Sequence, residues 1–131
     1  MTTTALKLGT FRVGTRRRRS EGLRIGTVRF LPRGVLKRDY ARRDYFDVWF
    51  PAVAPSRGLV GWLKSRTWSP AVQRRFAARY RREMQTADAA RALELLAAIA
   101  QRTPISVGCY CEDEHRCHRS IPLELIRAHK A

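Results

Sequence analysis

The chain has 131 residues, 44% of them hydrophobic, which suits one domain with a core that needs no disulfide staples. The 27 Lys and Arg outnumber the 11 Asp and Glu, so the formal net charge is +16 and favours polyanionic partners. No apolar run approaches the roughly 18 residues that span a bilayer, and no apolar stretch of a secretory signal opens the chain. We therefore predict a cytoplasmic protein with no membrane partner and with nucleic acid or a nucleotide as candidate ligand. The oligomeric state is left open.

Two predicted strands and a basic loop open the chain. The segments at 5–13 (ALKLGTFRV) and 23–31 (LRIGTVRFL) have the alternation of strands. Between them, residues 14–22 (GTRRRRSEG) have glycines at both ends and four adjacent arginines, which cannot all be buried together. An exposed basic loop follows, either a solvated turn or a contact for nucleic acid. Its candidate nucleic-acid-binding residues are Arg16, Arg17, Arg18 and Arg19.

An aromatic segment precedes the predicted helices. Pro32 and Gly34 break the second strand, and a short helical or irregular stretch follows. We interpret its aromatic residues as core rather than as platforms for base stacking, which would require exposed rings. These residues are Tyr40, Tyr45, Phe46 and Trp49.

Three helices and a buried strand are predicted before the last helix of the chain. A short helix covers 57–65, and a second begins at the N-cap Ser69 with Pro70 at its first position. A third covers 86–102, and ISVGCY at 105–110 reads as a buried strand. The last helix is predicted over 120–129, with Ser120 as its N-cap. This alternation predicts a single α/β domain over residues 1–131, with a small, mainly parallel sheet and helices packed on it.

The stretch CYCEDEHRCHRS at 109–120 holds all three cysteines and the densest group of reactive side chains. It follows the buried strand and precedes a helix, and ligands of α/β folds collect at the carboxyl ends of strands. Arg119 is a bidentate partner for phosphate or carboxylate, and a helix N-terminus favours anions and lowers the pKa of a nearby thiol. We predict Cys117 as a thiolate or anion-site residue, with His118 and Glu112 as acid-base groups.

Three other interpretations of this stretch stay open. Cys109, Cys111, Cys117 and His118 (or His115) supply enough ligands for one zinc ion, although C-x-C-x5-C-H lacks the usual zinc-knuckle spacing. The three cysteines also suit a thiol redox sensor. Alternatively, Cys109 packs as a small hydrophobe. Disulfide pairing of Cys109 with Cys111 is awkward in a strand, so a reducing compartment with reactive or ligating cysteines is the prediction. No cofactor is predicted, with zinc as the alternative.

Several segments resemble the bacterial and archaeal family named domain of unknown function 488. The C-terminal motif is Cys109, seven residues, then Cys-His-Arg-Ser at 117–120. VRFLPRG at 28–34, APS at 54–56 followed by Trp62, and RRFAARYRREM at 74–84 are similar to its YeaO-like branch. The resemblance covers roughly residues 5–127 and implies a compact α/β domain, and no settled biochemical activity comes with it.

The resemblance also implies a set of site residues. The carried-over positions are Arg29, Pro32, Arg33, Gly34, Cys109, Glu112, Cys117, His118 and Arg119. We predict Arg29 and Arg33 as anion clamps beside Arg119, and Cys109 as a fourth catalytic residue beside Cys117, His118 and Glu112. Many YeaO-like members lack the cysteines, Cys111 is additional, and the basic loop at 14–22 departs from the usual acidic or proline-rich sequence. Any function of that loop is therefore particular to this chain.

Overall fold

A computed structural model describes residues 6–31, 33–109 and 120–129. Its four strands are β1 (Leu8–Arg12), β2 (Leu23–Gly26), β3 (Val48–Trp49) and β4 (Ile105–Cys109). Its four helices are α1 (Arg57–Lys64), α2 (Pro70–Glu83), α3 (Ala87–Ala100) and α4 (Ser120–Ala128). This composition confirms the predicted α/β fold.

The four strands form one sheet in the order β1-β4-β2-β3, and every pair is parallel. The last strand in the chain, β4, lies between the first two. Arg12 of β1 is in register with Cys109, and Gly26 of β2 is in register with Gly108. The carboxyl ends of β1, β4 and β2 therefore meet at one edge of the sheet, which we call the carboxyl edge.

The helices begin at polar side chains that accept hydrogen bonds from the first turn. Ser56 accepts from the Leu59 N–H, and Ser69 accepts from the Val72 N–H. Thr86 does the same for α3. The predicted start of α2 at Ser69 is thus confirmed, and such a cap stabilises a helix by about 1 kcal/mol. Ser120 was predicted as the N-cap of the last helix, but it is already a helical residue.

The two faces of the sheet are covered in different ways. On one face, Ile25, Ile105 and Val107 join a core with side chains from all four helices. On the other face, Phe11 and Phe46 join a second, smaller cluster, and among the described residues no α-helical side chain belongs to it. Val13 and Tyr40 belong to the same cluster. Strand β2 is therefore buried on both faces, as parallel strands usually are.

Two glycines allow the aromatic rings of the second face to lie directly on the sheet. A Cβ atom on Gly26 would lie 2.6 Å from the Phe46 ring, and one on Gly108 would lie 2.7 Å from the Phe11 ring. Tyr40 and Phe46 are buried, which confirms them as core, but Trp49 is 37% exposed. The Trp49 indole N–H donates to the Val28 carbonyl at 2.7 Å, which satisfies its polar atom at the surface.

The sequence analysis missed β3 and overestimated the length of β2. β3 has two residues, and their side chains are exposed, so they carry no periodic signal. β2 ends at Gly26 rather than at residue 31. Within the described residues, the helices are too short and too polar to cross a membrane.

Candidate functional site at the carboxyl edge

Cys109 ends the central strand β4 and is buried, with 1% of its surface exposed. Its carbonyl accepts a hydrogen bond from the Val13 N–H at 2.8 Å, which joins it to the end of β1. On the other side, the Thr27 N–H and hydroxyl both donate to the Gly108 carbonyl, at 3.1 and 3.2 Å. Cys109 is thus held rigidly between the carboxyl ends of two neighbouring strands.

The other predicted reactive residues lie outside the described residues. They are Cys111, Glu112, His115, Cys117, His118 and Arg119. What the structure positions are the two ends of this segment, Cys109 at the carboxyl edge and Ser120 in the first turn of α4.

The Cys109 sulfur is disulfide-bonded. The sequence analysis predicted reactive or ligating thiolates instead. A disulfide sulfur is neither a nucleophilic thiolate nor a zinc ligand. The predicted catalytic and metal-binding roles of Cys109 therefore belong to its reduced form.

Arg29 lies just beyond β2 and holds the turn that leads to α1. Its Nε donates to the Pro55 carbonyl at 3.0 Å, and its Nη2 donates to the carbonyls of Pro51 and Ala54 at 3.1 and 3.2 Å. Its Nη1 makes no hydrogen bond within the described part of the chain. Arg29 also lines an open cavity of about 380 Å³, together with Ser56 and Glu83. This position leaves one nitrogen for the predicted contact with an anion.

Tyr80 of α2 supports the same turn by donating its hydroxyl to the Val53 carbonyl. Burial, and then the nearby Glu83 carboxylate, raises the pKa of the Tyr80 phenol well above its ordinary value. Tyr80 therefore remains a neutral hydrogen-bond donor. Arg33, the other predicted clamp, is exposed beside Gly34, whose φ of 71° turns the chain.

The four adjacent arginines are not equivalent. Arg17 forms a bidentate ion pair with Asp47 at 2.8 and 2.9 Å, and Arg18 pairs with Glu21 at 3.1 Å. Arg16 and Arg19 are exposed and pair with no carboxylate among the described residues. Residues 14–16 and 18–20 of the loop are exposed, Glu21 is buried, and two of the four arginine charges are compensated within the protein. Binding of nucleic acid by this loop stays a prediction.

The loop ends in an ion pair that is buried against the second face of the sheet. Glu21 and Arg24 are 4% and 0% exposed, and the Arg24 Nε donates to a Glu21 carboxylate oxygen at 2.6 Å. Arg24 also donates to the Asp44 carbonyl at 2.7 Å and lies over the Phe11 ring at 4.6 Å. The Ser106 hydroxyl donates to the Glu21 carbonyl at 2.8 Å. This cluster anchors the basic loop to β1, β2 and β4.

The pKa values of two carboxyl groups reflect these contacts. Burial acts to raise the pKa of Glu21, but hydrogen bonds from Arg24 and Arg18 outweigh it and hold the pKa below its ordinary value. Burial likewise opposes ionisation of Asp47, and hydrogen bonds from Arg17 and the Arg24 backbone lower its pKa. The hydrogen bond to Asp47 in turn raises the pKa of Arg17.

We expect the basic loop to detach in acid. A carboxyl group whose pKa is lowered by folding stabilises the folded state above its unfolded pKa, near 4. That contribution disappears as the pH falls through the lower, folded pKa. Urea unfolding at a series of pH values between about 2 and 6 should therefore show a loss of stability that Asp47→Asn makes shallower.

The matched control for this experiment is Glu94→Gln, which removes an exposed carboxylate on α3. It should leave the pH dependence close to that of the wild type. Identical pH profiles for Asp47→Asn and the wild type would contradict the role of Asp47.

Sequence reasoning missed two features of the site. Arg12 lies in register with Cys109 at the carboxyl edge, but nothing in the sequence marks it among so many arginines. Arg24, which alternates with Ile25 along β2, was given no role in the sequence analysis, and it is fully buried. The spacing of Glu21 and Arg24 was the available signal, since an acidic residue three positions before an arginine can pair with it.

The chain matches the family described as DUF488-N3a, the active DUF488-N3 subclade, over residues 8–130. No curated protein and no solved structure matches the chain. Assignment to the YeaO-like branch and the reading of the C-terminal Cys-His-Arg-Ser motif stay predictions. Because the match covers nearly the whole chain and agrees with the resemblance seen in the sequence, this protein belongs to the DUF488 family.

Proposed function

We propose that the chain binds a phosphorylated ligand, a nucleotide or nucleic acid, at the carboxyl edge of its sheet. The observation that carries the proposal is the placement of Cys109 and Ser120. Residues 110–119 connect the end of the central parallel strand to the first turn of α4. Ligands of parallel α/β sheets bind outside the carboxyl ends of strands, and helix N-termini favour phosphate.

The residues of the connecting segment have distinct proposed roles. Arg119 binds phosphate oxygens in a bidentate manner, and Arg29 and Arg33 add positive charge from the end of β2. Cys117 is the thiolate or anion-site residue, with His118 and Glu112 as its acid-base groups. The half-buried Arg12, in register with Cys109, adds a further charge at the same edge.

Arg119→Lys tests this site because lysine keeps the charge and loses the bidentate fork. Nucleoside monophosphates, nucleoside triphosphates and pyrophosphate are titrated into the reduced protein and followed by calorimetry. We expect the variant to bind the best of these probes roughly tenfold more weakly, the effect of about 1.4 kcal/mol. Arg127→Lys, an exposed position on α4, is the matched control and should bind like the wild type.

Two results would contradict the proposal. One is that none of the phosphorylated probes binds to the wild type. The other is that Arg119→Lys and Arg127→Lys bind equally well. Cys117→Ser in the same titration separates an anion-site role, which weakens binding, from a purely chemical role, which leaves binding intact.

The disulfide at Cys109 favours a second candidate function, a thiol redox sensor. Oxidation of two thiols to a disulfide releases two protons and two electrons to an oxidant, so a cellular peroxide or disulfide must accept them. In this second candidate function, disulfide formation removes the free thiolates at the carboxyl edge, and reduction restores them. Repeating the titration with and without a thiol reductant distinguishes a redox-dependent site from one that binds equally well in both states.

A further inference from the structure

A second basic surface lies on α1 and α2, away from the four adjacent arginines. The segment from Arg57 to Arg82 has eight basic residues and no acidic one. All eight are exposed, and only Arg81 forms an ion pair with a described carboxylate, that of Glu124 at 2.7 Å. We call six of the remaining residues the α1–α2 basic face: Arg57, Lys64, Arg66, Arg75, Arg79 and Arg82.

The charges of this face are concentrated on one side of α2. Arg75, Arg79 and Arg82 follow the i, i+4, i+7 spacing that places side chains on one helical face. Like charges at this spacing destabilise a helix, and no carboxylate among the described residues offsets them. The three arginines and Trp62 line a shallow groove of about 360 Å³ above Ala78. A row of uncompensated charge around a groove suits an anionic partner.

Aromatic rings lie among these cations. The Arg79 and Arg66 guanidinium groups lie 5.3 and 5.6 Å from the centre of the Trp62 ring. At the end nearer β2, Arg57 and Lys64 lie 5.4 and 5.6 Å from the centre of the Phe30 ring, which is 40% exposed. The face therefore presents rings and planar guanidinium groups together.

We propose that the α1–α2 basic face binds single-stranded nucleic acid. Arginines on such a surface neutralise phosphates, and bases stack on aromatic rings and on guanidinium planes. Because the bases of a duplex are stacked on each other, only an unpaired strand can place them on Trp62 and Phe30. The inference extends the proposed function by naming a polynucleotide as the ligand. It rests on the proposed function only for the chemistry at the carboxyl edge.

The position of Phe30 links this face to the carboxyl edge. Phe30 follows Arg29 in the segment that leaves β2, four residues after the end of that strand, and its ring contacts Arg57 at the start of α1. A strand bound along α2 and α1 would thus be led toward the carboxyl edge.

The test is the affinity of a fluorescent single-stranded oligonucleotide as a function of salt. The variant replaces Arg75, Arg79 and Arg82 with Gln, and the control replaces Arg91, Arg102 and Arg127 with Gln, which removes the same charge elsewhere on the surface. Each phosphate contact contributes about 0.7 to the logarithmic salt slope for single strands. We therefore expect the first variant to lower the slope by about 2 and to bind roughly a hundredfold more weakly near 0.1 M salt.

A second variant shows whether weaker binding comes from the lost charge or from misfolding. Lys at the same three positions keeps the positive charge, so it should retain most of the salt slope while losing part of the stacking contribution. The Gln variant should still bind the nucleotide probes of the edge site like the wild type. Failure of the edge-site titration alone would therefore leave this inference standing.

Three results would overturn the inference. The first is that the wild type does not bind the oligonucleotide. The second is an equal loss of affinity in the control, which would assign binding to net charge alone. The third is that the three arginines are needed for binding to phosphatidylserine vesicles while a duplex and a single strand bind equally, which would make the partner a generic anionic surface.

Discussion

Arg24→Met should lower the free energy of unfolding by about 3–5 kcal/mol, the usual cost of leaving one partner of a buried ion pair alone. The Glu21 carboxylate would remain buried, and the exposed Arg18 would be its one cation partner among the described residues. The variant also removes the bond to the Asp44 carbonyl and the contact with Phe11. Thermal and urea unfolding should both report the loss, with a melting temperature lower by roughly 10–20 °C.

The double variant Glu21→Leu, Arg24→Met is the critical comparison. Because it leaves no uncompensated charge in the interior, it should be less destabilised than Arg24→Met alone. A double variant as unstable as the sum of the two single variants would show that the residues act separately. Arg42→Met, which breaks an exposed pair with Asp39, is the surface control and should cost less than about 1 kcal/mol.

Gly108→Ala should destabilise the protein by about 3 kcal/mol, near the upper end for overpacking in a core. The added Cβ atom would overlap the Phe11 carbonyl oxygen and would lie 2.7 Å from the Phe11 ring. The carbonyl belongs to the backbone of the neighbouring strand, so no side-chain rotation relieves the contact. Thermal unfolding by circular dichroism measures the effect.

Gly58→Ala is the matched control for this substitution. Gly58 lies in α1 with no atom within 4 Å of an added Cβ, so alanine should stabilise the helix there by about 0.5–1 kcal/mol. If Gly108→Ala unfolds at the temperature of the wild type, then Phe11 and β1 move more easily than the packing indicates. Gly108→Ala would also affect the candidate site. Gly108 directly precedes Cys109, and the Phe11 ring that the new Cβ atom would displace lies against Arg24.

The elements with strong local signals could be predicted from the sequence. The cap and spacing of α2, the alanine-rich α3 and the apolar β4 depend on neighbouring residues, and each was found close to its observed limits. Strand β3 could not be found because two exposed residues pair with β2 only through contacts made in three dimensions. The sheet order was equally hidden, since β4 enters between strands that are adjacent in the sequence.

The site was predictable only in its general location. The sequence indicated the carboxyl end of the strand at 105–110, and Cys109 does end the central strand there. It could not show that Arg17 is paired, because its partner Asp47 is distant in the sequence and meets it only once the loop lies on the sheet. Nor did the sequence distinguish the arginines of α2 that cluster around Trp62 from arginines that are simply solvated.

The insertion of β4 between β1 and β2 has a consequence for how the chain reaches its folded state. Thr10 is in register with Val107, so the two residues meet only after a very long loop has closed. Closing such a loop is entropically costly, and non-local parallel pairing is slow to form. During synthesis, β1 and β2 emerge before β4. The backbone groups on each of them that pair with β4 stay unpaired until β4 has been made. The loop between them has four adjacent arginines, and repulsion between like charges opposes the association of two exposed strands.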